Sequence, residues 1–121
     1  MPEKEARYRQ IPETFEAGYL AKLDGRTAVA QDMRARWRAI TEDLGGEDRL
    51  SYAQRSIAER ALWIEHWIAI QERALAEGGD VEMNKLAQAT NTLLGLYRTL
   101  GIERRPRDVT SLADYINGRA G

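Results

Sequence analysis

Arginine is the residue type whose number and spacing could do chemistry in this chain. Lys22, Arg26, Arg34, Arg36 and Arg38 stand against only Asp24 and Asp32 within residues 22–38, a local charge of +3. Guanidinium and ammonium groups contact phosphate oxygens, so this stretch is the candidate contact for double-stranded DNA. Arg34 and Arg38 lie one helical turn apart. Arg36 falls ~200° from Arg34, so the three do not share one narrow helix face. Residues 42–83 carry ten acids against Arg49, Arg55, Arg60 and Arg73, and a basic group returns at Arg104, Arg105 and Arg107. A total of −1 excludes a uniformly basic coat, yet segregated fields of this kind still steer partners. The plain alternative is that these charges are solvated helix faces.

Other chemistry is poorly supplied. The absence of cysteine excludes disulfides, thiolate metal sites and thiol catalysis. The one histidine, His66, lies between two apolar stripes and reads as structural or exposed rather than catalytic. Glu42, Asp43, Glu47 and Asp48 lack the ligand spacing of an EF-hand loop and read as an acidic connection. Gly45-Gly46 and Gly78-Gly79 are helix stops without the lysine of a phosphate loop. No nucleophile-elbow motif is present. The inventory points away from an enzyme and implies no metal or cofactor.

Helices must position the arginines, since strand alternation is nearly absent. Pro2 and Pro12 break the first 20 residues, leaving room for a short helix at 13–22. Thr27 caps a helix to Leu44 whose apolar stripe is Val29, Met33, Trp37, Ile40 and Leu44. The connection Gly45–Leu50 is too long for a helix-turn-helix. Ser51 and Gln54 form a capping box opening a helix that runs to about Glu77. A third helix starts at Asp80 and ends at Gly101, with a seam of Met83, Leu86, Thr90, Leu93, Tyr97 and Leu100. The short glycine connection makes the second and third helices antiparallel neighbours. After Pro106, Ser111 and Asp114 mark a short terminal helix carrying Leu112, Tyr115 and Ile116.

The second helix owns more apolar surface than one neighbour covers. Ile57, Ala61, Ile64, Ile68 and Leu75 form one seam, and Trp63, Trp67, Ile70 and Ala74 form another. Its length of ~40 Å matches the ~35 Å span of a compact globule of this size, so the monomer is expected to be elongated. Either the helix 27–44 covers the tryptophan stripe or another subunit does. Trp63, Trp67, Ile70 and Ala74 are therefore the candidate oligomer interface. The tail from Arg104 to Ile116 either docks on a partner or folds back on the hairpin.

The chain has 121 residues, 43% apolar and 31% charged, which suits one folded domain and is too apolar for general disorder. The expected fold is all-α, an elongated bundle built on a long antiparallel hairpin with a short C-terminal helix. Residues 1–24 form an arm that is partly disordered or holds a short helix. Residues 25–101 form the helical domain, with the hairpin at 51–101, and residues 102–121 form the linker and last helix. No apolar run approaches the ~20 residues of a membrane span, and Met1–Glu5 lacks a signal-peptide core. A cytoplasmic protein with no membrane partner is expected.

Leu50-Ser51-Tyr52-Ala53-Gln54-Arg55-Ser56, the hairpin, and the stretch from Thr90 to Val109 resemble small terminase subunits of tailed phages, prophages and gene transfer agents. The likeness spans residues 25–117, and its most specific part is the ending LGIERRPRDVTSLADYI. The resemblance implies a non-enzymatic helical protein that assembles into a ring through its hairpin. It implies recognition of packaged DNA inside a bacterial host cell, and delivery of that DNA to the large terminase subunit, an ATPase and nuclease. On this chain, 22–44 would touch DNA and 51–101 would form the ring. Arg104, Arg105, Arg107, Leu112, Tyr115 and Ile116 would meet the large subunit. The chain departs from the family in its short length, its slightly acidic balance and the lack of a legible helix-turn-helix. Weak, salt-sensitive phosphate contact multiplied by ring avidity is then the expected DNA mechanism. The rival reading is a helical interaction or regulatory module that binds no nucleic acid.

Overall fold

A computed structural model describes residues 7–101. They form an all-α fold of helices α1 (Tyr19–Lys22), α2 (Ala28–Asp43), α3 (Tyr52–Ala76) and α4 (Met83–Leu100), with a 3-10 turn at Glu47–Arg49. Among the described residues there is no strand, only an isolated bridge between Tyr8 and Leu23. The terminal helix expected after Ser111 lies outside the described residues.

The helix boundaries follow local chemistry. The Thr27 hydroxyl accepts from the Ala30 backbone N–H at 3.2 Å and starts α2. Gly45 and Gly46 stop it at φ of 103° and 110°, a region that disfavours any side chain. Ser51 and Gln54 satisfy each other's backbone N–H groups at 3.1 and 2.8 Å, the reciprocal cap that opens α3.

The start of α4 differs from expectation. Asp80 is not its cap: the helix begins at Met83 with Glu82 in the cap position and no side-chain cap bond. Val81, just before the cap, packs into the same cluster as Leu86 in the first turn. That hydrophobic staple fixes the entry of the chain two residues further on.

Helices α3 and α4 pack as the expected hairpin, with Ala61 and Ile68 buried against Leu86 and Leu93. Val81 and Leu86 share this cluster with Ile68, late in α3, so α4 runs back along it. A second cluster forms where α2 and the arm meet α3. It holds Tyr19, Leu23, Met33, Ile40, Ala58 and Leu62, closed by Leu100 from the end of α4. Tyr97 touches both clusters. Beyond Ile68, Ile70, Leu75 and Met83 remain about half exposed at 47%, 47% and 55%.

The described part of the arm holds a short helix, α1, and is closed by backbone bonds. Tyr8 donates its backbone N–H to Lys22 O at 2.9 Å and accepts from the Asp24 N–H at 2.8 Å. These two bonds close residues 8–24 into a loop that lies on α3. Tyr19 and Leu23 are fully buried within it.

Candidate nucleic-acid and subunit-contact surfaces

Closing the loop gathers cations at one place. The Arg7 guanidinium donates to Ala21 O at 3.1 Å, and Arg9 pairs with Asp24 at 2.9 Å. Arg26 donates to both oxygens of Asp24 at 3.1 Å. The Arg34 guanidinium lies against Gly25 so closely that a Cβ there would sit 2.9 Å from Nη1. Lys22 pairs with Glu16 at 2.9 Å, and the Tyr8 hydroxyl donates to the same carboxylate. The Arg26 side chain and backbone N–H hold the Asp24 carboxyl down to about 2, with Arg9 adding to the effect.

Arg26 and Arg34 thus stand around the Asp24-Gly25 turn, with Lys22 just before it. Arg7 and Arg9 join them. Nothing in their local sequence announced this, because the bridge between Tyr8 and Leu23 joins segments 15 residues apart. Arg38 is exposed along α2 and, like Arg34, makes no ion pair with another described residue.

Arg36 is placed differently. It donates to Asp32 at 3.0 Å and to Glu65 Oε1 at 2.5 Å. The other Glu65 oxygen accepts from the Tyr97 hydroxyl at 2.5 Å. One carboxylate of α3 therefore ties α2 to α4. Burial, then the bond to Glu65, raises the Tyr97 phenol above its ordinary range. The angular offset of Arg36 from Arg34 and Arg38 was legible in the sequence; its partner 29 residues away was not.

The tryptophan stripe divides. Trp63 donates its indole N–H to Pro12 O at 2.8 Å and meets the Phe15 ring edge-on at 6.0 Å. The Arg60 guanidinium lies over the Phe15 ring, 4.4 Å from its centre. Helix α2 was one expected cover for Trp63, but the arm is the cover found. Helix α2 packs instead on Ala58 and Leu62, and Val29 lines a cleft with the stripe. Trp67 is half-buried beside the α4 cluster, Ala74 is half-buried, and Ile70 stays open.

His66 borders a cleft of about 430 Å³ with Trp63, Trp67 and Ile70. Burial first, then the charges of Arg36 and Arg73, holds its imidazole below the ordinary value against the opposing pull of Asp32. Among the described residues no group of three or more His, Asp or Glu side chains could hold a metal ion. Glu47 of the acidic connection accepts from the Trp37 indole N–H at 3.0 Å instead. Among the same residues no helix is long and apolar enough to cross a membrane.

Arg104, Arg105, Arg107, Leu112, Tyr115 and Ile116 lie outside the described residues. No family model, curated protein or solved structure matches the chain.

Proposed function

We propose that this protein is a DNA-packaging adaptor of the small-terminase kind. It self-associates through the hairpin and contacts DNA phosphates through the arm and α2. Through Arg104 to Ile116 it recruits a large terminase subunit, which supplies ATP hydrolysis and cleavage; the chain itself is not an enzyme. The resemblance of residues 25–117 motivates the assignment. The observation that carries it is the gathering of Arg7, Arg9, Lys22, Arg26 and Arg34 around one turn. Asp24 and Glu16 neutralise part of that charge, which suits weak contacts summed over several copies. The half-exposed Ile70, Leu75 and Met83 favour burial between copies.

A second reading is an interaction module without nucleic acid. The pairing of Arg26, Lys22 and Arg36 with carboxylates favours it. A gel shift with double-stranded DNA at low and at moderate salt separates the two. The adaptor binds at low salt and releases as salt rises. No shift at low salt leaves the interaction module.

A further inference from the structure

Helix α4 ends beside an open cleft. The cleft, about 300 Å³, lies between α2, α3 and α4, with Ala39, Ile40 and Leu62 as apolar walls and Tyr97 on its α4 side. Arg36 and Asp43 stand at the two ends of its α2 border. Arg36 is paired with Asp32 and Glu65, so its charge is compensated. The sign at the other end is negative and continues past the helix: residues 42–48 hold Glu42, Asp43, Glu47 and Asp48 and no basic side chain.

The rest of the chain sets out from the edge of this cleft. Leu100 is buried with Ile40 and Leu62, so α4 finishes against the last turns of α2. Gly101 takes a φ of 83°, and its N–H bonds to Tyr97 O at 3.0 Å and to Arg98 O at 2.9 Å. In such a left-handed cap the chain reverses, and an apolar side chain on the next residue commonly packs on the one five before it. Those residues are Ile102 and Tyr97, and Tyr97 borders the cleft. Glu103, Arg104, Arg105, Pro106 and Arg107 follow. At ~3.3–3.6 Å per extended residue, Arg104 lies within ~11 Å of Gly101 and Arg107 within ~22 Å. Three arginines are therefore tethered within reach of Glu42 and Asp43. A short tether supplies an effective concentration in the millimolar range, so ion pairs that are individually weak at a surface act together.

We propose that the tail of this chain occupies the cleft in cis. Ile102 covers Tyr97 and the wall of Ala39 and Ile40, and Arg104, Arg105 and Arg107 lie against Glu42 and Asp43. The proposal rests on the packaging reading in one respect, that these same arginines are offered to a large subunit. Docked on α2 they are withheld, and a partner with a more acidic surface draws them off. The tail of a second copy is the competing occupant.

The test is zero-length carbodiimide cross-linking of the full chain carrying Arg105→Lys. That substitution keeps the charge and supplies an amine that couples to a carboxylate in contact with it. Tandem mass spectrometry maps the links, with the Lys22–Glu16 pair at 2.9 Å as the internal positive control. A link from position 105 to Glu42 or Asp43 is expected, in a product that still migrates as one chain on a denaturing gel. Its yield should fall about tenfold at 1 M salt, where the screening length drops to ~3 Å. Adding Arg104→Gln and Arg107→Gln should lower it as far. Links to Glu42 and Asp43 no more frequent than links to Glu72 and Glu77, at the far end of α3, overturn the proposal. So does a yield that ignores both the salt and the added substitutions. A link confined to the two-chain product assigns the cleft to the tail of a second copy and overturns docking in cis. No DNA or partner takes part, so a negative result leaves the packaging reading to the gel shift.

Discussion

Arg36 of α2 reaches Glu65 of α3 at 2.5 Å, and that bond ties the central arginine of the basic segment to the hairpin. Both side chains are about one-third exposed, so the pair is a half-buried structural tie. Arg36→Ala should lower stability by about 1–2 kcal/mol, because Glu65 loses one of its two donors. On the proposed reading it should leave the salt dependence of DNA binding unchanged. Arg34→Ala with Arg38→Ala should do the reverse, reducing the slope of log K against log salt by about 2 at constant stability. Urea unfolding and salt titrations of the two variants check the division.

The tryptophans should also separate. Trp63 closes the arm onto α3, so Trp63→Ala should cost about 2–4 kcal/mol and release residues 8–18 to proteolysis. Trp67→Ala leaves the arm bond intact. On the proposed reading it should weaken self-association with a smaller loss of stability. Limited proteolysis and light scattering on each variant distinguish the two effects; equal arm release by both would show that the stripe acts as one unit.

Much of this architecture was legible, and the parts that were not share a cause. The boundaries of α2 and α3 follow from Thr27, Gly45-Gly46 and the Ser51/Gln54 cap, all short-range signals. The hairpin follows from the short Gly78-Gly79 connection, which leaves the second and third helices no course but antiparallel contact. Two features were hidden because they depend on residues distant in sequence. Pro12 supplies the acceptor for Trp63 from 51 residues away, and Tyr8 clasps Leu23 to bring Arg7 and Arg9 beside Arg26. The Asp80 cap gave way to Val81, whose burial outweighed a local propensity.

His66 is expected to make stability pH-dependent. Its folded pKa lies below the unfolded value of about 6.5, so the unfolded chain binds the proton more readily. Its contribution is complete above that value and is lost as the pH falls through 6.5 toward the folded pKa. His66→Gln should flatten the stability profile across this window. Thermal melts at half-unit steps between pH 5 and 7.5 measure it, and an unchanged slope would assign the effect to another group.

The cap of α3 offers a local test of the hairpin. Ser51→Ala removes the acceptor for the Gln54 N–H and should cost about 1 kcal/mol. Ser51→Asp keeps an acceptor and should retain most of the stability, as urea melts of the two variants would show.

On the proposed reading, copies of this chain cluster around the half-exposed Ile70, Leu75 and Met83 of the hairpin. Light scattering on the full chain at tens of micromolar measures it most directly. A molar mass that is a multiple of 13.7 kDa and falls toward that value in Ile70→Ser with Leu75→Ser is the predicted result. A strict 13.7 kDa monomer would contradict it.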